Sequence, residues 1–365
     1  MGLDYRPITR ESGVPGPKNL ITDVPGVLVG HSTIATGEYN TGVTAILPRA
    51  GNLYEHKVVA GHHVINGYGK SVGLMQIGEM GAIETPILLT NTFSVGACMD
   101  ALFKYMVKND PKIGGEVGTV NPLVLECFDG YLSNIRGFAV SEENVLEAIR
   151  EAGPEFEEGA VGAGRGMNCY ELKSGIGSAS RVVTIGGREF TVGCLVNTNF
   201  GSMCDLRVYD DFCGEALADG IGEPDKGSII IILATDLPMS SRQLTRACRR
   251  AQNGIARTGS YTGNWSGDIA VMFTTAYDLP HTTDNYFTQI TSMHETAMNT
   301  VFRAVTEVVE ESILSSLLHA PRVEGWNGSV RESLRERRDC EIYFSKEAAK
   351  AAEAIREKPQ SGARQ

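Results

Sequence analysis

Lys226-Gly227-Ser228-Ile229-Ile230-Ile231-Ile232-Leu233-Ala234-Thr235-Asp236 is the stretch whose reading decides the fold. Its five consecutive large aliphatic residues, four of them β-branched, predict a strand buried on both faces. The preceding loop, Asp219-Gly220-Ile221-Gly222-Glu223-Pro224-Asp225-Lys226-Gly227, is rich in Gly, Pro and charge and is expected to be exposed and mobile. A Gly-Ser pair therefore joins a flexible loop to the most buried strand. On the residues alone the pair has two readings. One is a turn glycine followed by a strand-starting serine. The other is a self-cleaving bond, Gly227–Ser228: glycine tolerates the strain of hydroxyl attack on its own carbonyl. Cleavage would leave the Ser228 hydroxyl beside its own free amine, a nucleophile with a built-in base.

Outward from this strand, the chain continues with a helix over Ser240 to Arg257 and a turn over Thr258 to Asn264. Ser266-Gly267-Asp268 then leads into strand Ile269-Ala270-Val271-Met272-Phe273-Thr274-Thr275. Strand, helix, strand predicts a parallel pair whose starts share one sheet edge, about 4.8 Å apart. That topology alone gathers Ser228, Ser266 and Asp268. On the other side, Gly186-Gly187 joins Val182–Ile185 to Phe190–Val196 as a hairpin. The second strand runs into Asn197-Thr198-Asn199-Phe200-Gly201, whose amides suit either a turn or an oxyanion.

The first half predicts strands at Val27–His31, Thr41–Pro48, Lys57–Gly61 and Glu84–Thr92, a helix over Val95–Lys108 and another over Ser141–Glu151. Pro122-Leu123-Val124-Leu125-Glu126-Cys127-Phe128-Asp129-Gly130-Tyr131 ends an apolar run in an acid. A half-buried Glu126 needs a partner, either inside the protein or on a ligand as a receptor for ammonium. Adjacent His62 and His63 point apart on a strand and do not make a metal pair. Gly162-Ala163-Gly164-Arg165-Gly166 lacks the spacing of a nucleotide loop, and His294-Glu295 lacks the second histidine of a zinc peptidase. A long helical region is expected over Asn285–Leu318, a charged helix over residues 343–357, and a disordered tail over 358–365.

The chain has 365 residues, 42% hydrophobic, and a net charge of −11 with no basic run. It can bury a large core, and nucleic acid is excluded as a partner because phosphate binding needs clustered Lys and Arg. Eight cysteines without a C-x-x-C pair read as free thiols of a reducing compartment. The N-terminus carries no apolar leader, and no segment is long and apolar enough to span a membrane. The expected location is the cytoplasm.

Taken together, these residues resemble the family of the L-aminopeptidase D-amidase/D-esterase and the β-peptidyl aminopeptidases. The resemblance runs through Thr41-Gly42-Val43-Thr44-Ala45, Glu84-Thr85-Pro86-Ile87, Thr90-Asn91-Thr92, Glu126 to Gly130 and Asn199-Phe200-Gly201. It continues through Gly227-Ser228 with its strand, Ala234-Thr235-Asp236 and Ser266-Gly267-Asp268. Singly these motifs are common; in this order they are specific. The resemblance implies an α/β protein, a four-layer α/β/β/α sandwich of the N-terminal nucleophile hydrolase kind. It implies one domain, self-cleaved into residues 1–227 and 228–365, and a hydrolase without cofactor or metal. It implies Ser228 as nucleophile, its α-amine as base, Asn199 as oxyanion donor, and Ser266 and Asp268 as support. Family members often carry Glu where Asp268 stands, one methylene longer. Glu126 is implied as the receptor for the substrate amine. Phe128 stands where one branch has a tyrosine, with Tyr131 nearby. Substrates would be small peptides, amides or esters with a free amine, and the assembly a homo-oligomer, a tetramer of cleaved heterodimers.

Two other functions share the fold. An acyltransferase of the ornithine acetyltransferase type uses threonine as nucleophile, which Ser228 argues against. An uncleaved ligand-binding or scaffold protein would not need the set Ser228, Ser266, Asp268 and Asn199.

Overall fold

The computed structural model describes residues 13–209, 212–218, 227–287 and 290–336. In chain order the strands of the first half are β1 (Leu28–Thr36), β2 (Tyr39–Leu47), β3 (His56–Gly67), β4 (Ala82–Ile83), β5 (Ile87–Asn91) and β6 (Leu123–Cys127). Then come β7 (Asn168–Cys169), β8 (Leu172–Lys173), β9 (Ile176–Ile185), β10 (Arg188–Asn199), β11 (Ser228–Thr235) and β12 (Gly267–Pro280). Two short strands, β13 (Val323–Glu324) and β14 (Val330–Arg331), close the described chain. The helices are α1 (Leu74–Met80), α2 (Val95–Asn109), α3 (Glu142–Arg150), α4 (Cys213–Leu217), α5 (Ser241–Cys248), α6 (Ala251–Arg257) and α7 (Met298–Leu318).

Two sheets carry the fold. One has the order β1-β2-β5-β6, the other β4-β3-β12-β11-β10-β9. Strand β11 lies inside the larger sheet, antiparallel to β10 and parallel to β12. All of its residues are buried, as its unbroken aliphatic run predicts. Ile230 and Ile232 join Leu195 and Phe273 in a core shared with Ile46, Leu89 and Leu125 of the smaller sheet. Ile229, Ile231 and Leu233 face the other way, onto Leu244, Ile255, Val305 and Leu314 of α5, α6 and α7. A third core sets Val43, Leu88 and Val124 against Leu102 of α2 and Val145 of α3. Helices, sheet, sheet and helices thus stack as the expected α/β/β/α sandwich. Helix α7 presses so close to β9 that a Cβ on Gly177 would lie 2.0 Å from the Ser312 carbonyl oxygen. At that contact only glycine fits.

Two expected helices are shorter than their apolar patterns suggest. The segment Ser240–Arg257 divides into α5 and α6, because Arg250 N–H turns back three residues to the Ala247 carbonyl at 2.9 Å. Helix α7 starts at Met298, not near Asn285. Before it, the side chains of Thr283, Asn285 and His294 take nearby backbone N–H groups, and Glu295 is drawn to Arg242 and Arg246 of α5. The loop over 219–226, the helix expected over 343–357 and the tail over 358–365 lie outside the described residues.

Because β11 serves a different core on each face, truncating either face should destabilise the protein. Ile230→Ala and Ile231→Ala should each cost about 2–5 kcal/mol in reversible urea unfolding. A cost below about 0.5 kcal/mol for either variant would mean that its face is not core.

Candidate active site

The register of the large sheet builds the site. Ser228, the first residue of β11, pairs with Asn199, the last of β10, and with Gly267, the first of β12. Three strand ends thus bring Asn199, Ser228 and Gly267 into one row, with Ser266 and Asp268 flanking Gly267. Ser228 is 7% exposed, so its hydroxyl sits at the rim of the buried sheet.

The N–H of Gly267 forks. It points to the carbonyl oxygen of Gly227 at 3.2 Å and to Oγ of Ser228 at 3.3 Å. A Cβ on Gly227 would lie 1.8 Å from the Asn199 carbonyl oxygen and 2.4 Å from the Phe200 Cα. No other residue fits at that position without moving the neighbouring strand. Ser266 Oγ donates to Asp268 Oδ1 at 2.6 Å. Asn199 Oδ1 accepts from both the backbone N–H and Nδ2 of Asn168, each at 3.1 Å. A backbone N–H can only donate, so the atom facing it is the oxygen. The Asn199 amide nitrogen is left to donate elsewhere.

Glu126 stands at the end of β6, 4% exposed. Its Oε1 accepts from the Lys70 N–H at 2.8 Å and its Oε2 from the Thr92 hydroxyl. Among the described residues it has no ion-pair partner. The partner expected from the sequence is therefore a pair of neutral donors, and the negative charge stays uncompensated. The turn 68–70 connects the two halves of the site: Tyr68 N–H donates to the Ser266 carbonyl at 3.3 Å, and Lys70 N–H to Glu126. From the opposite side, Cys127 Sγ reaches the Asn197 carbonyl at 3.5 Å, docking the end of β6 on β10. The strand ends thus bring Asn199, Gly227, Ser228, Ser266 and Asp268 together, and the turn 68–70 and Cys127 tie the strand end that carries Glu126 to them. Phe128 is 50% exposed, and Tyr131 lies under the guanidinium of Arg331, 3.7 Å from ring centre to Cζ.

The model of the family described as peptidase family S58 matches residues 19–331. The chain belongs to peptidase family S58. It is 39% identical to the β-peptidyl aminopeptidase BapA of Sphingosinicella microcystinivorans, over 88% of this chain and 87% of that protein. Among solved structures, the PH0078 protein of Pyrococcus horikoshii superposes with a TM-score of 0.89 at 46% identity, covering 95% of this chain and 98% of that one. The L-aminopeptidase D-Ala-esterase/amidase of Ochrobactrum anthropi superposes at 0.86 with 34% identity, covering 94% and 97%. That enzyme is described as a prototype for the serine aminopeptidases and a variant of the N-terminal nucleophile hydrolase fold. This S58 protein is therefore a hydrolase of the aminopeptidase class with that fold.

The geometry adds residues that the sequence reading passed over. Gly267 was visible inside Ser-Gly-Asp, but a backbone donor leaves no side-chain signal. Asn168, Lys70 and Thr92 are far from their partners in sequence and act through tertiary contacts. Asp129, three residues after Glu126, is fully buried, and Asn91 and Thr41 beside it hydrogen-bond each other at 2.7 Å. Burial, reinforced by the Glu126 carboxylate, pushes the Asp129 carboxyl up from 3.8 to about 7, with Thr41 and Asn91 offsetting part of the rise.

Asp129 makes stability depend on pH in a definite sense. Between its unfolded and folded values the native state holds a proton that the unfolded chain has released, so stability falls as pH rises through that window. Asp129→Asn removes this slope. Its Tm should gain on wild type from about pH 4 to about pH 7 and hold a constant lead above that. A Tm difference that does not vary with pH would refute the buried proton.

Proposed function

We propose that this S58 protein is a self-processing aminopeptidase that cuts its own Gly227–Ser228 bond and then releases N-terminal residues from small peptides, amides or esters. The observation that carries the reading is the shared N–H of Gly267. One donor faces both the nucleophile oxygen and the carbonyl that this oxygen would attack. In the processing step Ser228 Oγ bonds to the Gly227 carbonyl carbon, and its proton passes to the Ser228 nitrogen as the C–N bond breaks. Water then hydrolyses the ester, leaving a carboxylate on Gly227 and a free amine on Ser228. In turnover that amine is the general base. It takes the hydroxyl proton as Oγ adds to the substrate carbonyl and returns it to the leaving group; the same amine then takes a proton from water, which hydrolyses the acyl ester on Oγ, frees the acid and restores Ser228. Asn199 Nδ2 and the Gly267 N–H donate to the oxyanion, with Gly227 gone from the second donor. Ser266 and Asp268, hydrogen-bonded to each other, hold the nucleophile and its amine.

Processing would give chains 1–227 and 228–365 that remain one domain, because β11 and β12 are clasped between β10 and β3. Seven described cysteines are free thiols and six of them are buried, which supports a reducing, cytoplasmic setting. Among the described residues, no helix is long and apolar enough to cross a membrane. Tyr286 and Phe287, 94% and 85% exposed, are apolar surface suited to contact between copies and support a homo-oligomer of cleaved heterodimers, a tetramer in the family pattern. On a denaturing gel the protein should run as two chains, the smaller starting at Ser228. Light scattering should give a multiple of 39.3 kDa. Ser228→Ala should stay whole and inactive. An active wild-type protein that remains a single chain would sink the mechanism.

The uncompensated Glu126 carboxylate is the proposed receptor for the substrate ammonium, through a charge-assisted hydrogen bond. Free-amine substrates should be cut and N-acetylated ones should not. Because a substrate α-amine has a pKa of about 7.7–8.0 and must be charged while the Ser228 amine must be neutral, kcat/KM should be bell-shaped in pH. Glu126→Gln should mainly raise KM for free-amine substrates. Equal hydrolysis of free and acetylated substrates by the wild type would remove Glu126 from this role.

A further inference from the structure

We propose that Asn168 and Arg331 are positioning residues that orient and polarise the Asn199 amide, a relay ending in a positive charge behind the oxyanion donor. The proposal rests on the reading of Asn199 given under the proposed function. Its links are hydrogen bonds with fixed direction. Arg331 Nε–H donates to Asn168 Oδ1 at 3.2 Å, and Asn168 Nδ2–H donates to Asn199 Oδ1 at 3.1 Å. A guanidinium N–H cannot accept, so the Asn168 oxygen must face Arg331 and its nitrogen must face Asn199. The Asn168 backbone N–H fixes the Asn199 oxygen independently. Both amides therefore carry their oxygen on the side of the cation and their nitrogen on the side away from it.

Polarity follows direction. A cationic donor on Asn168 Oδ1 withdraws electron density from that amide and makes its nitrogen a stronger donor. The stronger bond on Asn199 Oδ1 then does the same to the Asn199 amide, since hydrogen bonds in a chain reinforce one another. Negative charge on a reacting carbonyl oxygen would so meet both a hydrogen bond and the field of a cation two amides away.

The relay is built on stiff parts. Arg331 lies in β14 and pairs with Val323 of β13, and the carbonyl of the following residue, Glu332, accepts the Lys173 N–H at 2.7 Å. The fully buried Lys173 ammonium donates to the carbonyls of Met167 at 2.8 Å and Gly164 at 3.1 Å, which pins the residue before Asn168. Tyr131 lies against one face of the guanidinium. Tyr131 also follows Glu126 by five residues, so the loop that leaves the amine receptor braces the relay.

Steady-state kinetics with a free-amine substrate tests the relay. Arg331→Met should lower kcat about tenfold with KM within about twofold, because the lost interaction acts in the transition state. Arg331→Lys keeps a cationic donor and should stay within about threefold of wild type. Asn199→Ala alone should lose ~10²–10³ in kcat, and adding Arg331→Met to it should cost nothing more. Equal losses in the Met and Lys variants, or the same loss in the Asn199→Ala background, would overturn the relay while leaving Asn199 in its role. Unchanged turnover in Asn199→Ala would instead overturn the reading of Asn199, and the relay with it. Should Arg331→Met fail to fold, Asn168→Asp gives the decision. It has the same shape, but its carboxylate cannot donate to Asn199. A kcat loss of about tenfold or more supports the relay, and wild-type kcat overturns it.

Discussion

The two-sided burial of β11 is the constraint on which the rest depends. A strand with one wet face can slip in register at moderate cost. A strand whose odd and even residues fill two different cores cannot, because a one-residue shift would exchange every side chain between them. Ile230 and Ile232 are held by the opposing sheet, Ile229 and Ile231 by the helices. This lock places Ser228 opposite Asn199 and Gly267. The position of the Ser228 hydroxyl is thus set by hydrophobic packing one to five residues away, at Ile229 to Leu233. The glycine at 227 belongs to the same constraint. The strand is seated so close to β10 that nothing larger fits beside the Asn199 carbonyl.

The acids of the site are held by a second principle. Glu126, Asp129 and Asp268 all act electrostatically on Cys127, which raises that buried thiol further above its ordinary range after burial has done most of the work. Three carboxyl groups this close are tolerated by different means. Glu126 is anchored by a backbone N–H and a hydroxyl, Asp268 accepts the Ser266 hydroxyl, and Asp129 keeps its proton to about pH 7. At Glu126 the two donors are neutral, a backbone N–H and a hydroxyl, which fix the carboxyl group in place without an ion pair. Under the proposed function, the substrate's own ammonium would be the counter-charge to Glu126.

What was legible in the sequence divides along the same line. The aliphatic run at 229–233, the hairpin at Gly186-Gly187 and the strand-helix-strand order are local patterns, enough for the row of Ser228, Ser266 and Asp268, whereas the four-layer sandwich came from the family resemblance. Glu126 was visible because an acid at the end of an apolar run demands an explanation. The partners were not visible. Asn168 meets Asn199 across 31 residues and Arg331 meets Asn168 across 163, through side chains with no periodic or compositional mark. The start of α7 and the division between α5 and α6 were missed for a similar reason. An apolar stripe tells which face is buried, but side chains such as His294 and Glu295 decide where the helix begins.

The fork at Gly267 links folding to activity. In the continuous chain its N–H is shared between the Gly227 carbonyl and the Ser228 hydroxyl. A hydrogen bond divided between two acceptors holds each more weakly than one given to a single acceptor. The same geometry also means that the proposed donor is occupied by the chain's own carbonyl for as long as residue 227 stays attached. Cutting the bond would therefore do two things at once: convert an amide nitrogen, which cannot act as a base, into an amine that can, and vacate a donor for the substrate's oxygen. An unprocessed chain would lack both. Under the proposed mechanism the uncut protein is inert because its site is filled by its own first substrate, and no separate inhibitory segment is required.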